Sequence, residues 1–441
     1  MTPRLGQALR HGPFLIACWA LLGCGGHQSR PGRDATAPSD GSVPPDGGGT
    51  PDSGPMADSG PMADAAVRPD AGPCPSTLAE RLEVTPVDVA PAQVALQAGG
   101  YFSRDTPPIL SPAGANRSWV AWGDSGGTIH VTPLDALDNR SAVDVTLPGN
   151  ELRGLAAHDA GFAVLVQRGS DVMALVGHDA SGSQTFDVEV VGNTDHGVEG
   201  AKYIRRDWGD NGRAAWTGTS YVVYFGHTMN WGAQGEHQGD LLWTYDLAGA
   251  QQGGGWDWGC SHSLDVRLAV SGSTVGPVCL SDCYPTKAIH FDHNTLVWDE
   301  PSGNCSGSSS GELGGLTAVP GGFALTFVTG EGRSSRDVGL VPIINGTVGQ
   351  VTWLTDTAGT DESASQVARY GDDLFVTWRA GSDRLAAVVS TSGSMLMGPE
   401  SIPAEAGLAT DLIQFSSGDV GWAYAWQDLS ELKIVRVRLC Q

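Results

Sequence analysis

The chain has 441 residues and a formal net charge of −24, and its 25 basic residues include only three lysines, Lys202, Lys287 and Lys433. Displacing counterions from a phosphate backbone needs a concentrated basic stripe, so this composition excludes nucleic acid as a partner. Abundant glycine (62) and tryptophan (14), without long amphipathic helical stripes, favour short strands joined by turns.

In chain order, the first element is a basic n-region with Arg4, Arg10 and His11, followed by the apolar run Phe14 to Leu22. That run is too short to span a bilayer and fits a secretory signal. It ends in Leu21-Leu22-Gly23-Cys24, which resembles the lipobox of bacterial lipoproteins. The resemblance implies cleavage after residue 23 and lipidation of Cys24. With Gly25 rather than aspartate next, it implies sorting to the outer membrane, facing the periplasm or the cell surface. Several acyl chains on one cysteine would make the attachment stable.

Residues 24–73 are dominated by Gly, Pro, Ser, Ala and Asp and cannot bury a core. Asp34, Asp40, Asp46, Asp52, Asp58, Asp64 and Asp70 recur every six residues, so self-repulsion favours an extended tether. Its r.m.s. span as a flexible coil is about 40 Å.

Residues 74–441 read as one all-β domain. Apolar second strands recur as WVAW at 119, FAVLV at 162, YVVYF at 221, FALTF at 323, LFVTW at 374 and VGWAYAW at 420, with a divergent unit near 261–301. The spacing of roughly 40 to 60 residues is that of β-propeller blades, which predicts seven four-stranded blades; two packed β-sandwiches are the alternative. The last unit stops after its third strand, and LEVTPVDV (82–89) is similar to the outer strands AVDVTL and FDVEVV. An N-terminal strand is therefore expected to complete the last blade, bringing Cys74 to Cys440. A monomer is expected. The whole resembles the seven-bladed propellers of bacterial surface lipoproteins, in particular the myxobacterial type.

After maturation six cysteines remain, Cys74, Cys260, Cys279, Cys283, Cys305 and Cys440, which in an oxidising compartment suggests three disulfides. A hairpin turning at 271–274 sets Cys260 opposite the Cys283 region and leaves Cys279 for Cys305. A zinc site drawing on His262, His290 and His293 with Asp257, Asp282 and Asp292 is the competing reading, but CLSDC and HFDH only approximate zinc-ligand spacing. DTAGTDESA (356–364) lacks the ligand alternation of a calcium loop. No cofactor is therefore assigned.

The repeat is interrupted across 227–262, where insertions on a rigid scaffold commonly carry binding groups. Trp231, Trp256 and Trp258 offer flat faces, with His227, His237, Asp240, Asp257 and His262 as polar neighbours, a set suited to a sugar or a peptide. The same tryptophans could instead pack between blades. GSSSG (307–311) has no helix after it and is no nucleophile elbow. WGDNGRAAW (208–216) and WGDSGGT (122–128) depart from the sialidase Asp-box, and no arginine array can be assigned to a carboxylate. The leading expectation is a non-catalytic binding or scaffolding protein for a glycan, peptide or protein. The alternative is a polysaccharide hydrolase or lyase acting in the propeller's central funnel, with Asp240, Asp257 and His262 among its acid/base groups.

Overall fold

The computed structural model describes residues 74–95, 108–142, 144–149, 151–169, 172–191, 212–230, 236–256, 259–284, 286–300, 311–407, 411–426 and 428–440. Strand β1 (Leu82–Asp88) comes first. Blade one holds β2 (Ile109–Ala113), β3 (Arg117–Gly123), β4 (Thr128–Leu134) and β5 (Val145–Pro148). Blade two holds β6 (Glu151–His158), β7 (Gly161–Arg168), β8 (Val172–Asp179) and β9 (Gln184–Glu189). Blade three holds β10 (Gly212–Trp216), β11 (Tyr221–Asn230), β12 (Glu236–Tyr245) and β13 (Gln251–Trp256). Blade four holds β14 (Ser261–Ser271), β15 (Thr274–Tyr284), β16 (Ala288–Phe291) and β17 (Thr295–Asp299).

Blade five holds β18 (Glu312–Val319), β19 (Gly322–Thr329) and β20 (Asp337–Ile344), with an outer edge split into β21 (Thr347–Val348) and β22 (Thr352–Trp353), both paired to β20. Blade six holds β23 (Glu362–Tyr370), β24 (Asp373–Ala380), β25 (Asp383–Val389) and β26 (Met395–Ser401). Blade seven takes β27 (Ile413–Gln414), β28 (Val420–Trp426) and β29 (Asp428–Val437) from the C-terminus and β1 from the N-terminus. Each sheet is an antiparallel meander, and the inner strands β2, β6, β10, β14, β18, β23 and β27 pack in that cyclic order around an axis. The fold is a seven-bladed propeller.

The apolar runs of the second strands follow from burial on both faces of each sheet. In β7, Phe162, Val164 and Val166 enter the core between blades one and two, while Ala163 and Leu165 enter the core between blades two and three. All five are fully buried, and complete burial of a side chain of Val, Leu or Phe size contributes about 1.5–3 kcal/mol. Blades one to three share a turn device: Asp124, Asp135, Asp179 and Asp246 each accept, on one carboxylate oxygen, the backbone N–H groups two and four residues ahead, at 2.8–2.9 Å. The aspartate of WGDSGGT is thus a turn-former.

The ring closes as the sequence predicts. β1 pairs antiparallel with β29, from Leu82 opposite Val437 to Asp88 opposite Glu431. Cys74 is bonded to Cys440, with Cα atoms 5.5 Å apart. Across the blade seven to blade one seam, Arg436 and Asp138, each 1% exposed, form a buried ion pair, and the guanidinium lies 3.5 Å from the Phe415 ring centroid.

Two expectations are corrected. Much of the insertion in blade three is a strand extension, because β11 and β12 stay paired out to Asn230 opposite Glu236. The expected partners of the clustered cysteines also change: Cys260 is bonded to Cys279, not to Cys283, and Cys279 therefore not to Cys305. The hairpin does turn between Ser271 and Thr274, but register shifts between Ser261 and Asp265 break the simple count along the strands. Cys305 and the Cys283 side chain lie outside the described residues.

Candidate functional site

Of the residues singled out in 227–262, Trp231, Asp257 and Trp258 lie outside the described residues. His237 and His262 are placed by backbone only, on β12 and β14. His227 on β11 is buried, edge-on to Phe225. Trp256 is half-buried, edge-on to Tyr224 and 4.5 Å from the His293 ring, so it packs between elements as the alternative reading expected.

Asp240 is fully buried at the centre of this region. Its carboxylate accepts the Tyr224 hydroxyl at 2.6 Å, the Trp256 indole N–H at 3.1 Å and the Cys260 backbone N–H at 3.1 Å, while its backbone carbonyl accepts the Gly259 N–H. Burial pushes its pKa up to about 6 against the opposing pull of these donors, and burial with the adjacent carboxylate drives Tyr224 well above the usual phenol range. These bonds tie β13 and the 259–260 turn to β12, drawing Cys260 inward to Cys279. Asp240 is a structural anchor whose acceptors are occupied.

The Asp240, Cys260 and Cys279 ligand atoms lie within 4.8 Å of one another. A metal does not fit them as they stand, because the two sulfurs are bonded to each other and both carboxylate oxygens hold donors. His290 directs Nε2 at the Thr286 carbonyl, 2.9 Å away, and burial lowers the pKa of both His290 and His293.

A second region lies on the axis, where the hydrolase alternative placed its acids, but Asp240 does not line it. A cavity of about 440 Å³ is lined by residues of, or directly beside, all seven inner strands. Arginines stand on three consecutive inner strands, Arg153 on β6, Arg213 on β10 and Arg267 on β14, and acids lie on or just before inner strands at Glu151, Asp265, Glu312, Glu362 and Asp411. Arg213 Nε is 3.0 Å from Asp411, and Arg267 is 4.0 Å from the same carboxylate. Arg267 also donates to Asp265 at 2.6 Å and to the Gly314 and Leu313 carbonyls, riveting blade four to blade five. Burial opposes its charge, but Asp265 and Asp411 outweigh that and raise its pKa. Arg153 is buried against Glu151 and Gln167. The guanidiniums are thus committed to protein partners, and no sialidase-like carboxylate cradle forms from them. The signal that could have found two of them is an acid two residues before an arginine, at 151 and 153 in blade two and again at 265 and 267 in blade four.

The inner strands approach closely where side chains are absent. A Cβ on Gly154 would sit 2.6 Å from the Ala214 nitrogen, and one on Gly315 would sit 2.4 Å from the Val367 nitrogen. The extensions of β11 with β12 and of β14 with β15 rise from the end of the ring where the inner strands begin, the same end as Arg213 and Asp411.

No protein-family model matches the chain, and no curated protein matches it. Similar solved structures include one of two prolyl endopeptidases (15% identity, TM-score 0.43, covering 72% of this chain and 44% of that one). They also include the β-propeller domain of the Trilobed protease from Pyrococcus furiosus (10%, 0.41, 67% and 84%). A third is the Cps50 (Swd1) β-propeller domain from Myceliophteria thermophila (9%, 0.42, 79% and 100%). The match thus spans less than half of the endopeptidase, and at these identities the likeness concerns the fold alone.

Proposed function

We propose that this chain is a lipid-anchored binding or scaffolding protein of the outer membrane surface, holding a glycan, peptide or protein on the propeller face where blades three and four project. The observation that carries this reading is the length of two hairpins: β11 and β12 have 10 residues each and β14 and β15 have 11, against 8 in β7, β8, β19 and β20. A closed ring is a rigid base for such projections. Binding rather than turnover is favoured because Asp240, one of the three residues of the hydrolase alternative, already has its carboxylate filled by protein donors. Anchoring is supported by Leu21-Leu22-Gly23-Cys24 behind a signal-like run and by the acidic tether after it.

Two measurements test the reading. A globomycin-sensitive mobility shift should be present in the wild type and absent in Cys24→Ser; a wild type that shows none refutes the anchor. Asp257→Asn combined with His262→Ala should reduce retention on a glycan and peptide panel, with no turnover of any panel member by the wild type. Wild-type turnover that the double variant loses while still binding would overturn it in favour of the hydrolase or lyase.

A further inference from the structure

One ion pair of the axial cavity crosses the ring. Asp411 precedes β27 of blade seven, whereas Arg213 and Arg267 stand on β10 and β14 of blades three and four. Those are the two blades farthest from blade seven in the cyclic order, so a carboxylate that meets both, at 3.0 and 4.0 Å, lies across the axis. All three residues line the cavity. The contact is reachable from solvent, because the side chains of Arg213 and Asp411 are 24% and 36% exposed, whereas those of Arg153 and Arg267 are buried. β27 pairs with β28 at Ile413 and Gln414 only, so the ladder of blade seven does not reach Asp411.

Asp411 lies against the Nε and Nη2 edge of Arg213, at 3.0 and 3.5 Å, the two-point grip that any carboxylate can take on a guanidinium. A partly exposed ion pair contributes little on its own, because water competes for both charges, so withdrawing Asp411 costs little. Its withdrawal releases that edge of Arg213, whose only acidic partner among the described residues is Asp411, while Arg267 keeps Asp265 at 2.6 Å. Two guanidiniums then stand beside one remaining acid, a net charge among these groups that a single carboxylate balances. The cavity wall at Leu155, Ala156, Ala214, Leu268 and Leu316 is aliphatic and suits an apolar body behind that carboxylate. The volume of about 440 Å³ lies within the usual range for small-molecule sites.

We infer that the axial cavity binds a small aliphatic carboxylate at Arg213, and that Asp411 is an internal competitor occupying the place of the ligand's carboxylate until that anion displaces it. The inference goes beyond the projecting-hairpin reading, and its test uses small probes alone, so either can fail without the other. Titration calorimetry of the full-length protein would use hexanoate for a fatty-acid source and N-acetyl-leucine for a peptide carboxyl end, with hexanamide and N-acetyl-leucinamide as uncharged controls. At least one acid should bind the wild type saturably and bind Asp411→Asn about threefold or more tightly, while its amide binds neither. Arg213→Gln should lose the binding. The double variant, Arg213→Gln with Asp411→Asn, removes both charges and strands no ion on Arg213; it should bind neither acid, and it covers the case in which Arg213→Gln alone does not fold. The inference is overturned if neither acid binds Asp411→Asn up to roughly 10 mM, if Asp411→Asn binds no more tightly than the wild type, if the amides bind equally, or if the double variant still binds the acid.

Discussion

Glu362 shows how a single side chain can make this fold sensitive to pH. It opens β23, is 1% exposed, and has its pKa pushed up to about 7 by burial and by the charge of Asp337. In the unfolded chain the same group ionises near 4.5. The folded state therefore keeps a proton that the unfolded state has lost between those values, so the stability this carboxyl contributes is complete below 4.5 and is lost as pH rises through 7. Asp240 acts in the same direction between 3.8 and about 6, whereas the burial-lowered His158, His178, His290 and His293 act oppositely as pH falls below 6.5. The wild-type slope mixes these, and the clean quantity is the difference from Glu362→Gln. Urea midpoints should show the variant gaining on the wild type between pH 5 and 7.5; a pH-independent difference would refute the shifted carboxyl. Individual side chains were the least legible scale in the sequence. Asp240 was marked for its aromatic neighbours, but sequence proximity does not reveal that those neighbours are its hydrogen-bond donors. Asp411 gave no signal, because its partners on blades three and four come near it only once the ring closes.

Strands were far more legible. FAVLV and YVVYF read correctly because a propeller sheet is covered on both faces, which turns alternation into a continuous apolar run. What failed was counting across irregular pairing: the inner strands β6, β14, β18 and β23 all carry register shifts near their beginnings, and one extra residue changes which side chain faces which. The cysteine pairing was lost there. Its consequence is specific, because the described core between blades three and four comprises only Val222, Tyr224, Leu242, Cys260, Val266 and Cys279 as buried members, the smallest of the seven inter-blade clusters. The Cys260 to Cys279 bond lies within this described cluster. Replacing both by serine should cost about 3 kcal/mol from the 19-residue separation, before any loss of packing. Chemical denaturation would read the loss. Non-reducing peptide mapping should recover the Cys260 to Cys279 linkage, leaving Cys283 and Cys305 for each other; a Cys260 to Cys283 peptide would overturn the assignment.

At the scale of the molecule, the first and last strands of the propeller meet in one blade, so ring integrity depends on a single seam. β1 contributes a full ladder to β29, Arg438 pairs with Glu83 across it, and the Leu78 N–H reaches Glu400 of blade six at 2.8 Å. The Cys74 to Cys440 bond encloses a sequence separation of 366, which by chain entropy places its contribution near the upper end of the usual range, about 5 kcal/mol. Closure was legible because it is a counting problem: a last unit one strand short, and one strand spare at the start. The two seam devices should fail differently. Cys74→Ser leaves the strand pairing in place, so it should lower the melting temperature while the protein stays monomeric, and Cys440→Ser should match it with no further loss in the double variant. Removing residues 74–89 instead strips the partner from β29 and exposes the backbone edge of a 10-residue strand, a ready template for pairing with another chain. That truncation should form dimers or larger species in light scattering even where it retains far-UV β signal. A monomeric truncation melting with Cys74→Ser would show that the disulfide, not the strand, holds the ring.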